Sequence, residues 1–281
     1  MKCLHKSYKI LAEYHIGNVT GSHNYMKRIL IILLVCLSGC SSLDGESNNE
    51  ARDWTVERLY EEARRAMETG YYSKAVEYYE FLETRYPFGV LGRQSLLDLA
   101  YVYYKTNKFE EAVSACDRFI RLYPQNEAID YAYYLRGLVN FERGKGLADQ
   151  FLAIDDSQRD PGSALQAFKD FKELGERFPN SRYMDDVQKR MVYLRNLLAL
   201  YEINVANYYM RRGAFVASAN RARYVIENYS RSESVPDALV IMAKCYKILE
   251  MNDLYEDAMR ILTMNYPGHE GISELQATRI R

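Results

Sequence analysis

The sequence predicts an all-α protein, a solenoid of five helix–turn–helix units. Apolar residues recur at helical spacing through residues 54–267, and no sustained alternation or Val- and Ile-rich run favours a strand. An aromatic residue followed by Pro or Ser recurs at Tyr86, Tyr123, Phe178, Tyr229 and Tyr266. Small residues recur where each first helix must be crossed closely, at separations of 37, 37, 69 and 37 residues: Ala63, Ala100, Gly137, Ala206 and Ala243. Because a single helix pair is too small to bury its own apolar face, neighbouring units must stack.

These spacings resemble the tetratricopeptide repeat over residues 54–267. The resemblance implies that the units form a curved superhelix whose concave surface binds extended peptides. Gly70, Asn107 and Gly213 stand between the paired helices of three units, where a left-handed residue commonly ends a helix. The fifth unit departs from this pattern, since Glu250 occupies a turn position there.

The chain is predicted to divide into six segments. Residues 182–212 form one helical stretch that is longer than a repeat unit needs. The predicted segments are a signal peptide over 1–39, a lipidated tether over 40–53, repeats 1 and 2 with the first helix of repeat 3 over 54–143, an insertion loop over 144–162, the rest of repeat 3 with repeats 4 and 5 over 163–267, and a tail over 268–281.

The N-terminal segment has the pattern of a secretory signal followed by a lipid anchor. Lys27 and Arg28 precede nine apolar residues, which are too few to cross a bilayer core that needs roughly 20. Met26 directly precedes this basic pair and is a second candidate for the true start. The next residues, Leu-Ser-Gly-Cys, resemble a bacterial lipobox, which implies cleavage before Cys40, an S-linked diacylglycerol and an N-linked acyl chain. By the same resemblance, Ser41 implies sorting to the outer membrane.

Composition argues against an enzyme, a metalloprotein and a nucleic-acid-binding protein. Formal net charge is −1, so no basic surface for a polyanion is indicated. His269 is the single His after residue 25, and the cysteines show no C-x-x-C spacing. We therefore predict no catalytic residues, no metal and no cofactor.

A stripe of aromatic residues on the first helices is the candidate peptide-binding groove. In the repeat family, positions 2, 5, 9 and 12 of each first helix face the concave surface. The candidates carried over from that pattern are Tyr60, Arg64, Leu97, Tyr101, Tyr104, Tyr131, Tyr134 and Phe141. Tyr suits a wet groove because its body is apolar and its tip is polar, and Arg could bind a peptide carboxylate. The alternative is that an aromatic stripe at helical spacing packs in the core.

Three longer sequence segments resemble the lipoprotein family of the outer-membrane β-barrel assembly (Bam) machinery. The resemblance extends over residues 37–267. These sequence segments begin at Arg159, Phe178 and Tyr208. The resemblance implies a lipid-anchored protein on the periplasmic face of the outer membrane. Its N-terminal units would bind unfolded outer membrane proteins, whose terminal signal ends in an aromatic residue. Its C-terminal units would dock the POTRA domains of the barrel subunit BamA, and accessory Bam lipoproteins are further expected partners. The docking candidates are Arg221, Tyr209 and Arg212.

Two alternatives stay open at this point. A tetratricopeptide lipoprotein could instead act in cell-wall or division machinery. A wall-cleaving enzyme would need a separate compact domain with a catalytic Glu, whereas the predicted repeats leave only residues 268–281 after them.

Overall fold

Helices in antiparallel pairs make up the computed structural model, which describes residue 51 and residues 53–144 and 160–277. The described residues contain no strand, and the prediction of an all-α hairpin solenoid is confirmed. Each helix packs against the next along the chain, and all of them lie in one compact unit that begins at Val56. The helices are α1 (Val56–Glu68), α2 (Tyr72–Arg85), α3 (Val90–Lys105), α4 (Phe109–Leu122), α5 (Ile129–Arg143), α6 (Gly162–Arg177), α7 (Met184–Arg211), α8 (Phe215–Asn228), α9 (Val235–Ile248), α10 (Asn252–Asn265) and α11 (Gly271–Ala277).

The turns inside four of the hairpins share one geometry. Gly70, Asn107, Gly213 and Glu250 all have positive φ, at 80°, 59°, 73° and 57° respectively. In each turn the following N–H donates to the carbonyl five residues back, at 2.9–3.0 Å, which is the Schellman pattern. The three predicted turn positions are confirmed. The fifth unit forms the same turn with Glu250, so its second helix, α10, begins as in the other units.

The five aromatic residues that precede Pro or Ser end the second helices in the same way. Each aromatic residue donates its N–H to the carbonyl four residues back at 2.7–2.8 Å and has φ near −130°. The Pro that follows in four of them disfavours the helical conformation for the residue before it. The residues are Tyr86, Tyr123, Phe178, Tyr229 and Tyr266.

Close crossings inside the hairpins explain the recurring small residues. Ala63, Ala100, Ala206 and Ala243 have no exposed surface. At the equivalent position of the third unit, a Cβ built on Gly137 would lie 2.5 Å from the ring of Phe171. The small residues therefore let the paired helices approach each other.

Helix α7 contributes to two hydrophobic clusters of the solenoid. Its N-terminal half contributes Val187 and Leu194 to the core of units two and three. Its C-terminal half contributes Leu198 and Ile203 to the core of units four and five. The helix has 28 residues, in agreement with the long stretch predicted over 182–212. Among the described helices, none combines the length and apolarity needed to cross a bilayer.

Candidate peptide-binding surface and docking residues

Six predicted groove residues form what we call the aromatic row: Tyr60, Tyr101, Tyr104, Tyr131, Tyr134 and Phe141. They lie on α1, α3 and α5, the first helices of the first three units, and α3 packs against both α1 and α5. All six side chains are half-buried. Each ring therefore packs partly against its neighbours and keeps part of its surface accessible to solvent.

Leu97 does not belong to this surface, and its prediction is corrected. Its exposed fraction is 2%, and it packs in the core of units two and three with Leu96 and Ala100. The helix thus turns this position toward the neighbouring units, where an apolar side chain without a polar tip is most stable.

A buried carboxylate organises the unit-one end of the row. The Tyr60 hydroxyl donates to Asp98 Oδ2 at 2.9 Å, Tyr79 donates to the same oxygen at 3.5 Å, and Gln94 donates to Oδ1 at 2.9 Å. Burial raises the pKa of Asp98 above its ordinary value, against the opposing effect of these hydrogen bonds. Burial and the neighbouring Asp98 charge also raise the pKa of Tyr60. Tyr60 is thus held in place by a group on the next unit.

Arg64 lies exposed on the same helix as Tyr60. Its Nε donates to Glu68 Oε1 at 2.8 Å, and both side chains are more than half exposed. An exposed ion pair one helical turn apart contributes at most about 1 kcal/mol. A carboxylate of a bound peptide could therefore replace Glu68 at little cost.

The middle of the row consists of Tyr101, Tyr104 and Tyr131. The ring centroids of Tyr101 and Tyr104 lie 6.5 Å apart. Burial raises the pKa of Tyr131, and the nearby phenol groups of Tyr183 and Tyr101 raise it further. Burial and the charge of Glu142 likewise raise the pKa of Tyr104. These three residues on adjacent helices therefore form one continuous patch.

Helix α7 and the residue before it complete the row at the unit-three end. The Tyr134 hydroxyl donates to Asp186 Oδ2 at 2.8 Å, and Arg190 Nε donates to the same oxygen at 2.6 Å. The Tyr183 ring stacks on the Tyr134 ring, with a distance of 4.4 Å between the ring centroids and an angle of 10° between the ring planes. The Arg190 guanidinium lies 4.7 Å from the centroid of the Phe141 ring. These contacts fix both rings.

The pKa values of the carboxyl group of Asp186 and the phenol group of Tyr134 at this end shift in opposite directions. Burial alone would raise the pKa of Asp186, but the hydrogen bonds from Arg190 and Tyr134 outweigh it and hold that pKa below its ordinary value. Burial and the bond to Asp186 raise the pKa of Tyr134 to about 12. Tyr134 is therefore a neutral donor at physiological pH.

Sequence reasoning missed four residues that hold the row in place: Asp98, Tyr183, Asp186 and Arg190. Asp98 lies 38 residues from its partner Tyr60, and Asp186 lies 52 residues from Tyr134, so local spacing could not pair them. One signal was available, since Asp186 and Arg190 stand four residues apart and would pair on a helix.

The docking candidates lie near the C-terminal end of α7. Arg221 on α8 donates to Glu202 Oε2 at 3.1 Å, and its side chain is 46% exposed whereas that of Glu202 is 11% exposed. Tyr209 is half-buried and close enough to Arg221 for the two groups to interact electrostatically. Arg212 follows the last residue of α7, with its guanidinium 5.3 Å from the Tyr208 ring centroid. The structure thus places Tyr209 and Arg221 together and Arg212 at the adjoining turn.

Further predictions fall on parts of the chain that are not described, among them the signal peptide over residues 1–39 and most of the lipidated tether over residues 40–53. Cys40, the predicted lipidation site, lies outside the described residues, and so does most of the predicted insertion loop, residues 145–159.

Comparison with known proteins identifies the family. Residues 52–261 match the family model YfiO, described as an outer membrane lipoprotein. The chain belongs to this family. It is accordingly an outer membrane lipoprotein.

Curated relatives that carry the name outer membrane protein assembly factor BamD match most of the chain, and three of them illustrate the range. The relative from Neisseria gonorrhoeae is 42% identical over 86% of this chain and 92% of its own. The relative from Xylella fastidiosa strain Temecula1 is 38% identical over 87% of this chain and 83% of its own. The relative from Vibrio cholerae is 36% identical over 84% of this chain and 96% of its own. A solved structure of the type IV pilus biogenesis factor PilW aligns over 79% of this chain and 98% of its own, at 12% identity and a TM-score of 0.32, a likeness too low to support a conclusion.

Proposed function

We propose that this chain is a non-catalytic outer membrane protein assembly factor of the Bam complex. Its aromatic row binds unfolded β-barrel precursors, and the surface around Arg221, Tyr209 and Arg212 docks the POTRA domains of BamA. Acylation of Cys40 anchors it to the membrane, and accessory Bam lipoproteins bind the same complex. The names of the curated relatives support the assembly role, and the use of residues 56–143 and 162–277 for stacked helices supports a binding role over a catalytic one.

The half-buried state of all six rings in the aromatic row is the observation that carries the peptide-binding proposal. A ring that is packed on one side is already ordered, so less side-chain entropy is lost when a ligand covers the rest of its surface. Transmembrane barrel strands alternate apolar and polar residues. In an extended segment of such a strand, alternate side chains point the same way, so one apolar face can lie along the row.

The charged groups beside the row suggest how the peptide end is placed. Arg64 is exposed at the unit-one end, and among the described residues its ion pair is with Glu68 of its own helix. A peptide that ends in an aromatic residue presents a free carboxylate next to an apolar ring. We place that carboxylate at Arg64 and the apolar side chains along Tyr101 and Tyr131.

The peptide-binding proposal is tested by titrating the purified lipoprotein, held in detergent micelles, with a ten-residue peptide. The peptide alternates Phe with Ser or Thr and ends in Phe. Because truncation of central aromatic residues in an interface commonly costs more than about 1 kcal/mol, Tyr101→Ala and Tyr131→Ala should each weaken binding by about tenfold. Tyr224→Ala is the matched control, since Tyr224 is an exposed tyrosine on α8 outside the row. Equal affinities for all four proteins would refute the proposal.

The docking proposal depends on the exposed part of Arg221. Glu202 occupies one side of the guanidinium, which leaves further N–H donors for an acidic residue of the partner. Arg221→Ala should reduce the recovery of BamA with the affinity-tagged lipoprotein. Because that change also leaves Glu202 nearly buried without its partner, Arg221→Gln with Glu202→Gln is the companion variant. Full recovery of BamA with both variants would contradict a docking role for Arg221.

A further inference from the structure

The hydroxyl groups of the aromatic row fall into two sets. The hydroxyls of Tyr60 and Tyr134 donate to carboxylates of their own chain, at 2.9 and 2.8 Å. Within residues 53–144 and 160–277, the hydroxyls of Tyr101, Tyr104 and Tyr131 make no hydrogen bond. The second set occupies the middle of the row, and the first set lies toward its two ends.

We propose that Tyr101, Tyr104 and Tyr131 donate hydrogen bonds to main-chain carbonyl groups of an extended peptide, whereas Tyr60 and Tyr134 only position the rings. This inference rests on the proposed peptide-binding function and names what the site recognises. Main-chain carbonyls are present in every sequence. The row would therefore bind many precursors that share an extended backbone and an apolar face but differ in other residues.

Partial burial of these three tyrosines supports a bound acceptor rather than bulk water. Buried tyrosine hydroxyls usually have a hydrogen-bond partner, because an unpaired polar group loses its hydration. All three side chains are half-buried, and burial raises the pKa of Tyr104 and Tyr131. A ligand that covers these rings would remove the remaining water, and it must then supply an acceptor to each hydroxyl.

The carboxylates near two of the three hydroxyls favour a neutral acceptor, and burial and Glu142 together outweigh the opposing charge of Arg190 at Tyr104. The carboxyl group of Asp98 acts on Tyr131, and that of Glu142 acts on Tyr104. A ligand carboxylate or phosphate in the middle of the row would be repelled by these groups. A main-chain carbonyl is the neutral acceptor that an extended peptide presents repeatedly, at about 6.8 Å along one edge.

The geometry also suits several carbonyls of one strand. Tyr101 and Tyr104 lie one helical turn apart on α3, and Tyr131 lies on the adjacent first helix, α5. The axes of packed helices lie about 8–10 Å apart, which falls between one and two repeats of the roughly 6.8 Å spacing of carbonyls on the same edge of an extended chain. A segment of roughly four to six residues can therefore reach all three hydroxyls.

The test removes the hydroxyls and keeps the rings. The combined variant Tyr101→Phe, Tyr104→Phe and Tyr131→Phe is titrated with the ten-residue peptide described above, in the acylated full-length lipoprotein. Since a net hydrogen bond commonly contributes about 0.5–1.5 kcal/mol, affinity should fall by at least about tenfold. The thermal midpoint should be unchanged, because the three hydroxyls have no partner in the described part of the chain. The positioning control, Tyr134→Phe, should lower the thermal midpoint, because it removes a donor from Asp186.

A peptide in which single amides are replaced by esters supplies the second measurement. An ester carbonyl is a weaker acceptor, so at least one such peptide should bind the wild-type protein less tightly than the parent peptide and bind the triple variant no less tightly. If the triple variant binds like the wild type while Tyr131→Ala still weakens binding, the hydroxyl inference is wrong and the peptide-binding role stands. If neither the triple variant nor Tyr131→Ala weakens binding, both fail.

Discussion

Replacement of Gly137 by Ala tests the close crossing at the centre of the third unit. The added Cβ would lie 2.5, 2.7 and 3.0 Å from three carbons of the Phe171 ring. Phe171 has no exposed surface, so its ring cannot move into solvent. Such overpacking typically costs about 1–3 kcal/mol, and contacts this short place the cost toward the upper end.

The helical preference of Ala offsets part of this cost. Ala is favoured over Gly in a helix interior by about 1 kcal/mol, so the net change in the free energy of unfolding should be a loss of about 1–2 kcal/mol. Gly175→Ala is the matched control. A Cβ there meets only the terminal methyl of Met184 at 3.3 Å, so this variant should gain up to about 1 kcal/mol.

Denaturant unfolding followed by far-ultraviolet circular dichroism measures both changes. The two variants should move the midpoint in opposite directions. Because Phe171 also lies 6.4 Å from the ring of Tyr134, Gly137→Ala should weaken peptide binding as well, and Gly175→Ala should not. A gain in stability for both variants would refute the close-crossing argument.

Four other measurements test separate parts of the structure. Glu250→Gly should stabilise the protein by about 1 kcal/mol in thermal unfolding, since Glu250 has φ of 57° and Gly adopts this conformation without steric cost; a loss of stability would contradict that geometry. Arg136→Met should lower the free energy of unfolding by about 3 kcal/mol, because it removes the cation beside the carboxylate of Asp170, whose side chain is 2% exposed. Asp170→Asn in that background should recover part of the loss. Burial raises the pKa of Asp98 above 3.8, so the contribution of Asp98 to the free energy of unfolding is full below pH 3.8 and is lost as pH rises through the folded-state pKa. Asp98→Asn should remove this part of the pH dependence of stability. An unchanged pH profile in the variant would contradict this role of Asp98. The intact mass of the mature protein should correspond to a chain that begins at an acylated Cys40, and a mass that includes residues 1–39 would contradict the lipobox interpretation.

The repeat architecture could be predicted from sequence because local residues determine it. Small residues at crossings, left-handed residues in turns and aromatic caps each act within one hairpin, so a single unit shows the pattern. Glu250 shows the limit of such reasoning. Its residue type is unfavourable for a left-handed turn, yet the packing of α10 against α9 is compatible with the same turn as in the other units.

The candidate site could be predicted only in outline. The repeat-family pattern named the six aromatic residues of the row, and the structure shows all six half-buried; that they face a peptide-binding groove stays a prediction. It could not place Leu97, because whether a position faces the core depends on how neighbouring units pack. The carboxylates that hold the row, Asp98 and Asp186, come from a different helix than their tyrosine partners, and only the stacked structure brings them together.

The central claim is that the aromatic row binds another polypeptide. Site-specific photocrosslinking tests this claim most directly. With p-benzoylphenylalanine in place of Tyr131, irradiation of cells should join the lipoprotein to β-barrel precursors, whereas the same probe in place of Tyr224 should not. Equal yields from both positions, or no crosslink at residue 131 in a lipoprotein that still recovers BamA, would contradict the account.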